Sequence, residues 1–124
     1  MLLPSDAEAH RQVGDIRDQI DLAVMISGRA SAEALVDDIV LVLAMEKALQ
    51  NAVEACLQLE KNTRDKGRFT RLFPDFDIDH LRRLANSVRH DYGNTRADFL
   101  LDELEATFLP LRDAAEALLR KKRR

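Results

Sequence analysis

Residues 32–62 read AEALVDDIVLVLAMEKALQNAVEACLQLEKN, a stretch without glycine or proline. Val36, Ile39, Val40, Leu43, Ala48, Leu49, Ala52, Val53, Cys56 and Leu57 give it a broad apolar stripe. Much of that stripe recurs at the three- and four-residue intervals that stack side chains on one face of an α-helix. The spacing predicts one continuous helix from about Ala32 to Asn62, with Ser31 as its cap. Leu41, Val42 and Met45 spread apolar surface around the circumference, and a helix apolar on several sides is usually buried on several sides. This helix is therefore expected at the centre of the fold. Either its partners in the same chain or a second copy must cover it.

The segments on either side supply those partners. Val13, Ile16, Ile20, Ala23 and Ile26 predict an amphipathic helix whose wet face carries Asp15, Arg17, Asp18 and Asp21, with Gly28 as its stop. Downstream, a linker is expected from about Thr63 to Phe76, containing Gly67 and Pro74. Asp77 can cap a third helix running through Arg89 or His90. Gly93-Asn94 breaks the pattern, and Thr95 can cap a last helical region. Phe99, Leu100, Leu104, Phe108, Leu111, Ala115, Leu118 and Leu119 form its buried face. Pro110 is expected to kink or divide it, since proline lacks the backbone donor and clashes with the preceding turn. The reading is all-α: a single domain over residues 1–124, folded as an antiparallel bundle of four to five helices.

Composition narrows the function classes. The chain has 124 residues, 5% of them aromatic, with no tryptophan and a formal charge of −3. That charge argues against a protein that coats nucleic acid by bulk attraction, though a cleft needs only a local basic patch. One cysteine, Cys56, cannot form an internal disulfide and sits in an apolar helical stretch, as expected of a packed thiol in a reducing cytoplasm. Met-Leu-Leu-Pro is too short for a signal peptide, and no apolar run approaches the roughly 20 residues of a membrane span. His10, His80 and His90 lack metal-ligand spacing, and the Asp37-Asp38 and Asp75-Asp77-Asp79 groups read as solvated helix starts, so no metal or cofactor is expected. A glycine-rich phosphate loop is absent.

The chemistry concentrates in residues 80–92, HLRRLANSVRHDY, at the end of the third predicted helix. His90 can exchange a proton near neutral pH. Arg83 and Arg89 can hold a phosphate and stabilise charge developing during its transfer. Seven helical residues return Arg83 to nearly the face of His90, and Asn86 lies one turn before it. The bland alternative is a helix end whose histidine and arginine satisfy terminal carbonyls and the dipole.

Six residues separate Arg83 from His90, and His90-Asp91-Tyr92 follows the pattern histidine, free position, tyrosine. This arrangement resembles the motif of the HepT-like toxins of the HEPN superfamily, small helical ribonucleases paired with a nucleotidyltransferase antitoxin. The similarity extends over about residues 10–120. Asp15-Ile16-Arg17 to Ile26 resembles the family's first helix, Leu49-Gln50 with Glu54-Ala55 its second, and Phe108-Leu109-Pro110-Leu111 its leucine-proline element. Family members usually carry an arginine immediately before the asparagine; here Ala85 precedes Asn86. The resemblance implies a homodimeric, cytoplasmic endoribonuclease that cleaves RNA without metal, using the 2′-hydroxyl as nucleophile. His90 would be its acid or base, Arg83 its phosphate ligand with Arg89 in reserve, and Asn86 an orienting residue. It also implies a nucleotidyltransferase antitoxin that adenylylates Tyr92. Ala85 keeps a second expectation open: a catalytically silent helical module that docks a nucleotidyltransferase.

Two basic stretches remain. Arg64, Lys66, Arg68 and Arg71 in the linker, with Lys61, are candidate RNA-binding residues that guide phosphates to the cleft. Arg120 to Arg124 reads first as positive charge complementing a helix C-terminus.

Overall fold

A computed structural model of the chain describes residues 7–28, 38–62, 64–90 and 97–122, with the side chains of 88–90, 97 and 122 outside that description. Its regular elements, among the described residues, are all helical. They are α1 (Ala7–Ser27), α2 (Ile39–Glu60), α3 (Arg68–Leu72), α4 (Ile78–His90), α5 (Ala97–Glu103) and α6 (Leu109–Lys122), with a π-helical turn at Leu104–Phe108 joining the last two.

α1 and α2 form the antiparallel pair on which the rest is built. Val13, Ile16, Ile20 and Ala23 are fully enclosed against Met45, Leu49, Ala52 and Cys56 in one apolar core. α1 ends as the sequence predicts: the Gly28 amide donates to the Val24 carbonyl at 3.0 Å, and the Ser27 hydroxyl donates to the same oxygen at 2.8 Å. The start of α2 differs from expectation. Asp38 is extended, and its carboxylate accepts from the amides of Val40 at 3.1 Å and Leu41 at 3.2 Å. An extended cap cannot lie inside a helix, so the central helix starts at Ile39 and does not run unbroken from Ala32.

The buried side of α2 also differs from the predicted stripe. Val42 and Met45 are enclosed, whereas Ile39, Val40 and Leu43 are 60%, 69% and 47% exposed. Neighbours meet the helix on the side centred on Val42, Met45 and Leu49. The first turns therefore turn apolar residues outward.

The expected linker is instead part of the core. Gly67, at a φ of 78° that favours glycine, starts the short helix α3. α3 then plants Phe69 and Phe73 at 0% and 1% exposure. Their rings stack at 4.8 Å, and Phe76 meets Phe73 edge-on at 6.3 Å. Glu60 ties the segment to the end of α2 by accepting from the Thr70 amide at 3.0 Å.

The last helical region is divided as expected near Pro110, by the π-helical turn between α5 and α6. Immediately before Pro110, the Leu109 amide donates to the Leu104 carbonyl, the wider π spacing, and the helix continues to Lys122. The widened turn offers a physical reason: it relieves the clash between a proline ring and the preceding turn. α6 packs antiparallel to α1. Arg17 meets Glu116 at 3.1 Å and Asp21 meets Arg112 at 2.8 Å, so partners advance along one helix as they retreat along the other.

Candidate functional site

α4 carries the candidate catalytic residues, and its amphipathicity explains how they are presented. Asp77 begins it, its carboxylate accepting from the Asp79 amide at 2.9 Å. Leu81 and Leu84 are buried, and α2 is the principal neighbour of α4. With that side fixed, the opposite arc faces solvent: His80, Arg82, Arg83, Asn86 and Ser87 are all exposed.

Arg83 and Asn86 are thus brought onto the open side of one helix. Arg83 makes no ion pair or hydrogen bond to another described residue, while its neighbour Arg82 is held by Asp79. The backbone places His90 on the same helix, seven residues from Arg83, roughly 10 Å along the axis at 1.5 Å per residue. The side chains of Arg89 and His90 lie outside the described residues, as does Tyr92.

Ala85 occupies a different side. It is half-buried and packs against the apolar core. A small residue suits that contact, whereas an arginine there would have to route its stem out past the helix interface. The outward arginine is at 83, two positions earlier. His80, Arg82 and Ser87 share this arc although the motif does not include them; the amphipathic periodicity of α4 is the signal that places them there.

The four linker candidates separate into two groups. Arg64 and Lys66 are exposed. Arg68 is 8% exposed and its Nε donates to Asp65 at 3.0 Å. Arg71 is exposed, but its guanidinium donates to Asp65 and, at 3.2 Å, to the Lys66 carbonyl. A buried, paired guanidinium is a structural clamp, so the expectation that Arg68 contacts RNA is corrected; Arg71 serves chiefly to close the same turn. These two arginines, Arg68 first, hold the Asp65 carboxylate below the usual carboxylate range.

A second charged assembly went unread in the sequence. The α1/α6 cleft, about 490 Å³, is lined by His10, Gly14, Arg17, Asp18, Glu116 and Arg120, among others. Glu116 accepts from Arg17 at 3.1 Å and Arg120 at 3.2 Å, and these guanidiniums, Arg17 foremost, lower its pKa. Arg17 is raised in turn, mainly by Glu116 and then Asp18. Cys56 has no such partner: burial pushes its thiol up, which keeps it protonated and unreactive at neutral pH.

These lowered carboxylates predict acid sensitivity. A group whose folded pKa is depressed contributes stability above its ordinary value, about 4 for carboxylates, and loses it as pH falls through the folded value. Urea unfolding measured from about pH 5 down to pH 2 should therefore show stability falling, more gently in an Asp65→Asn/Glu116→Gln variant. Equal slopes in the two proteins would remove the assigned role of both pairs.

No family model matches the chain, and neither a curated protein nor a solved structure does. Among the described residues, no helix is long and apolar enough to cross a membrane. The site is thus characterised by its chemistry: an open, cationic helix face that leads to a histidine.

Proposed function

We propose that the protein is a HepT-like endoribonuclease of the toxin class, restrained by a nucleotidyltransferase antitoxin and active as a homodimer. The observation that supports this reading is the solvent-facing arc of α4, where Arg83 is free of described partners and Asn86 is exposed on the helix that ends at His90. In the proposed reaction the RNA 2′-oxygen bonds to phosphorus and the bond to the departing 5′-oxygen breaks. His90 takes or returns a proton, and Arg83 stabilises the phosphoryl oxygens. Products then carry cyclic phosphate and 5′-hydroxyl ends. Adenylylation of Tyr92 adds bulky negative charge two residues from His90, which repels RNA. The test is RNA cleavage by the purified, unmodified chain in chelator, beside His90→Ala.

The second reading is a silent helical module that docks a nucleotidyltransferase. The half-buried Ala85, where relatives of this class usually place an arginine, favours it. Partner binding that survives His90→Ala, with no cleavage by the wild type, selects this module.

The homodimer has its own support. The large apolar residues exposed among the described ones are Leu22, Val24 and Met25 near the end of α1, and Ile39, Val40 and Leu43 at the start of α2. Concentrated at one end of the hairpin, they form the kind of surface that associates in water. Val40→Lys/Leu43→Glu is expected to shift the protein from dimer to monomer in sedimentation at micromolar concentration. A wild type that sediments as a monomer there would remove the dimer from the proposal.

A further inference from the structure

One groove between α1 and α2 is polar where the rest of their contact is apolar. Glu8, Gln12, Asp15 and Gln19 recur at three- and four-residue intervals along α1, so they share a face. Asn51, Glu54 and Gln58 do the same along α2. Together they line a groove of about 410 Å³, with Ala55 as its buried apolar wall. Asn51 donates to Gln19 at 3.2 Å and ties the two helices together across it. That bond also sets the antiparallel register, which brings Glu54 beside Asp15 and Gln58 beside Gln12.

Gln12 is the residue that packing does not explain. It is 7% exposed, and its Oε1 is buried without a hydrogen bond from any described residue. A buried acceptor that lacks a donor is destabilising, and an apolar side chain of similar size would avoid that. Around it stand three carboxylates, Glu8, Asp15 and Glu54, against one guanidinium, Arg11. Arg11 is 3.9 Å from Asp15, both side chains being more than half exposed, a contact that another cation displaces readily. Gln58 donates to one Glu54 oxygen, at 3.0 Å. Beyond Glu8 the groove meets a neighbouring cleft where Lys61 and Arg64 enter, which limits its acidic stretch.

The negative charge is spread along the groove. Glu8 and Asp15 lie seven residues apart, roughly 10 Å along α1 at 1.5 Å per residue. Among the described residues, no three acidic, histidine or cysteine side chains gather closely enough to hold a metal ion. A point cation therefore finds no nest here, whereas a linear cation meets the carboxylates in turn. We infer that this groove binds an aliphatic polyamine of the spermidine kind, with one ammonium at Asp15 and Glu54, another at Glu8, and Gln12 accepting an N–H between them. The terminal torsion of glutamine is broad, so the Gln12 oxygen can turn to that donor. The methylenes lie along Ala55. This site draws on no residue of α4 and stands whether or not His90 is catalytic.

The test is calorimetric titration of the full-length protein with spermidine at low salt. Saturable binding is expected, and weaker binding of putrescine, whose two ammonium groups span less of the groove. Gln12→Leu should bind spermidine about tenfold more weakly, the usual worth of a hydrogen bond to a charged group. The same variant should unfold at a higher urea concentration, because it removes the unsatisfied acceptor. Glu8→Gln/Glu54→Gln should weaken binding by a similar factor. Asp102→Asn/Glu105→Gln makes the same change of charge on exposed residues outside the groove and should leave affinity unchanged. An absence of saturable binding overturns the inference. So does unchanged affinity in both groove variants, with helical content preserved by circular dichroism. Equal weakening by the outside pair, or equal displacement of spermidine by Mg²⁺ at the same charge concentration, would also overturn it and leave only diffuse attraction to an acidic protein. A lower urea midpoint for Gln12→Leu with unchanged affinity would make Gln12 a packing residue and overturn it too.

Discussion

Replacing His90 with alanine is expected to lower RNA cleavage by about 10²- to 10⁴-fold, the usual contribution of a positioned acid or base. The protein should stay folded, because α4 is anchored by Leu81 and Leu84 well before its end. Arg83→Ala is expected to approach the same loss. An arginine that stabilises developing phosphoryl charge does so with paired donors, so Arg83→Lys should recover only part of the activity. The roughly 10 Å between the two backbones requires the arginine to extend along the helix toward the phosphate that His90 serves. A variant Arg83→Ala that cuts RNA as fast as the wild type would transfer phosphate binding to Arg89 or to a second subunit. Cleavage undiminished in His90→Ala would remove the proposed site altogether. Mapping the ends of the products separates this chemistry from contamination, since cyclic phosphate records attack by the 2′-hydroxyl.

The largest expected stability loss lies in residues 68–76, a segment whose composition predicts a linker. Phe73 is 1% exposed, stacked on Phe69 and edge-on to Phe76. Truncating a buried phenylalanine removes its transfer free energy and leaves a cavity, a loss of about 3–5 kcal/mol. Against a typical total of about 5–15 kcal/mol, Phe73→Ala should shift the urea midpoint strongly or prevent folding. Phe76→Ala, at a half-buried ring, should be milder and serves as the folded comparison. A loss below about 1 kcal/mol for Phe73→Ala would mean that residues 68–76 detach without disturbing the core.

Much of the architecture can be read along the chain because its causes are local. Val13, Ile16, Ile20 and Ala23 fall on one helical face and are enclosed as their spacing predicts. The stops at Gly28 and the start at Asp77 follow from backbone donors that a nearby carbonyl or carboxylate accepts. α4 was equally readable, and with it the shared exposure of Arg83 and Asn86. The linker misled because short aromatic-containing runs with glycine and proline look like loops; only neighbours distant in sequence make Phe69 and Phe73 core residues.

Local periodicity and capping residues make this chain helical, set roughly where each helix stops, and gather its protonic and cationic chemistry before Tyr92. Those properties rest on hydrogen bonds and periodicities spanning three or four residues. The tertiary structure alone decided which side of α2 is buried, leaving Ile39, Val40 and Leu43 outside. It also recruited the charged face of α1, through Arg17 and Asp21, to hold α6. Finally, it set Arg64 and Arg120, 56 positions apart in the chain, in clefts that both open against α1. The physical reason is common to all three: burial and ion pairing depend on what a neighbouring helix presents, and no local period encodes that.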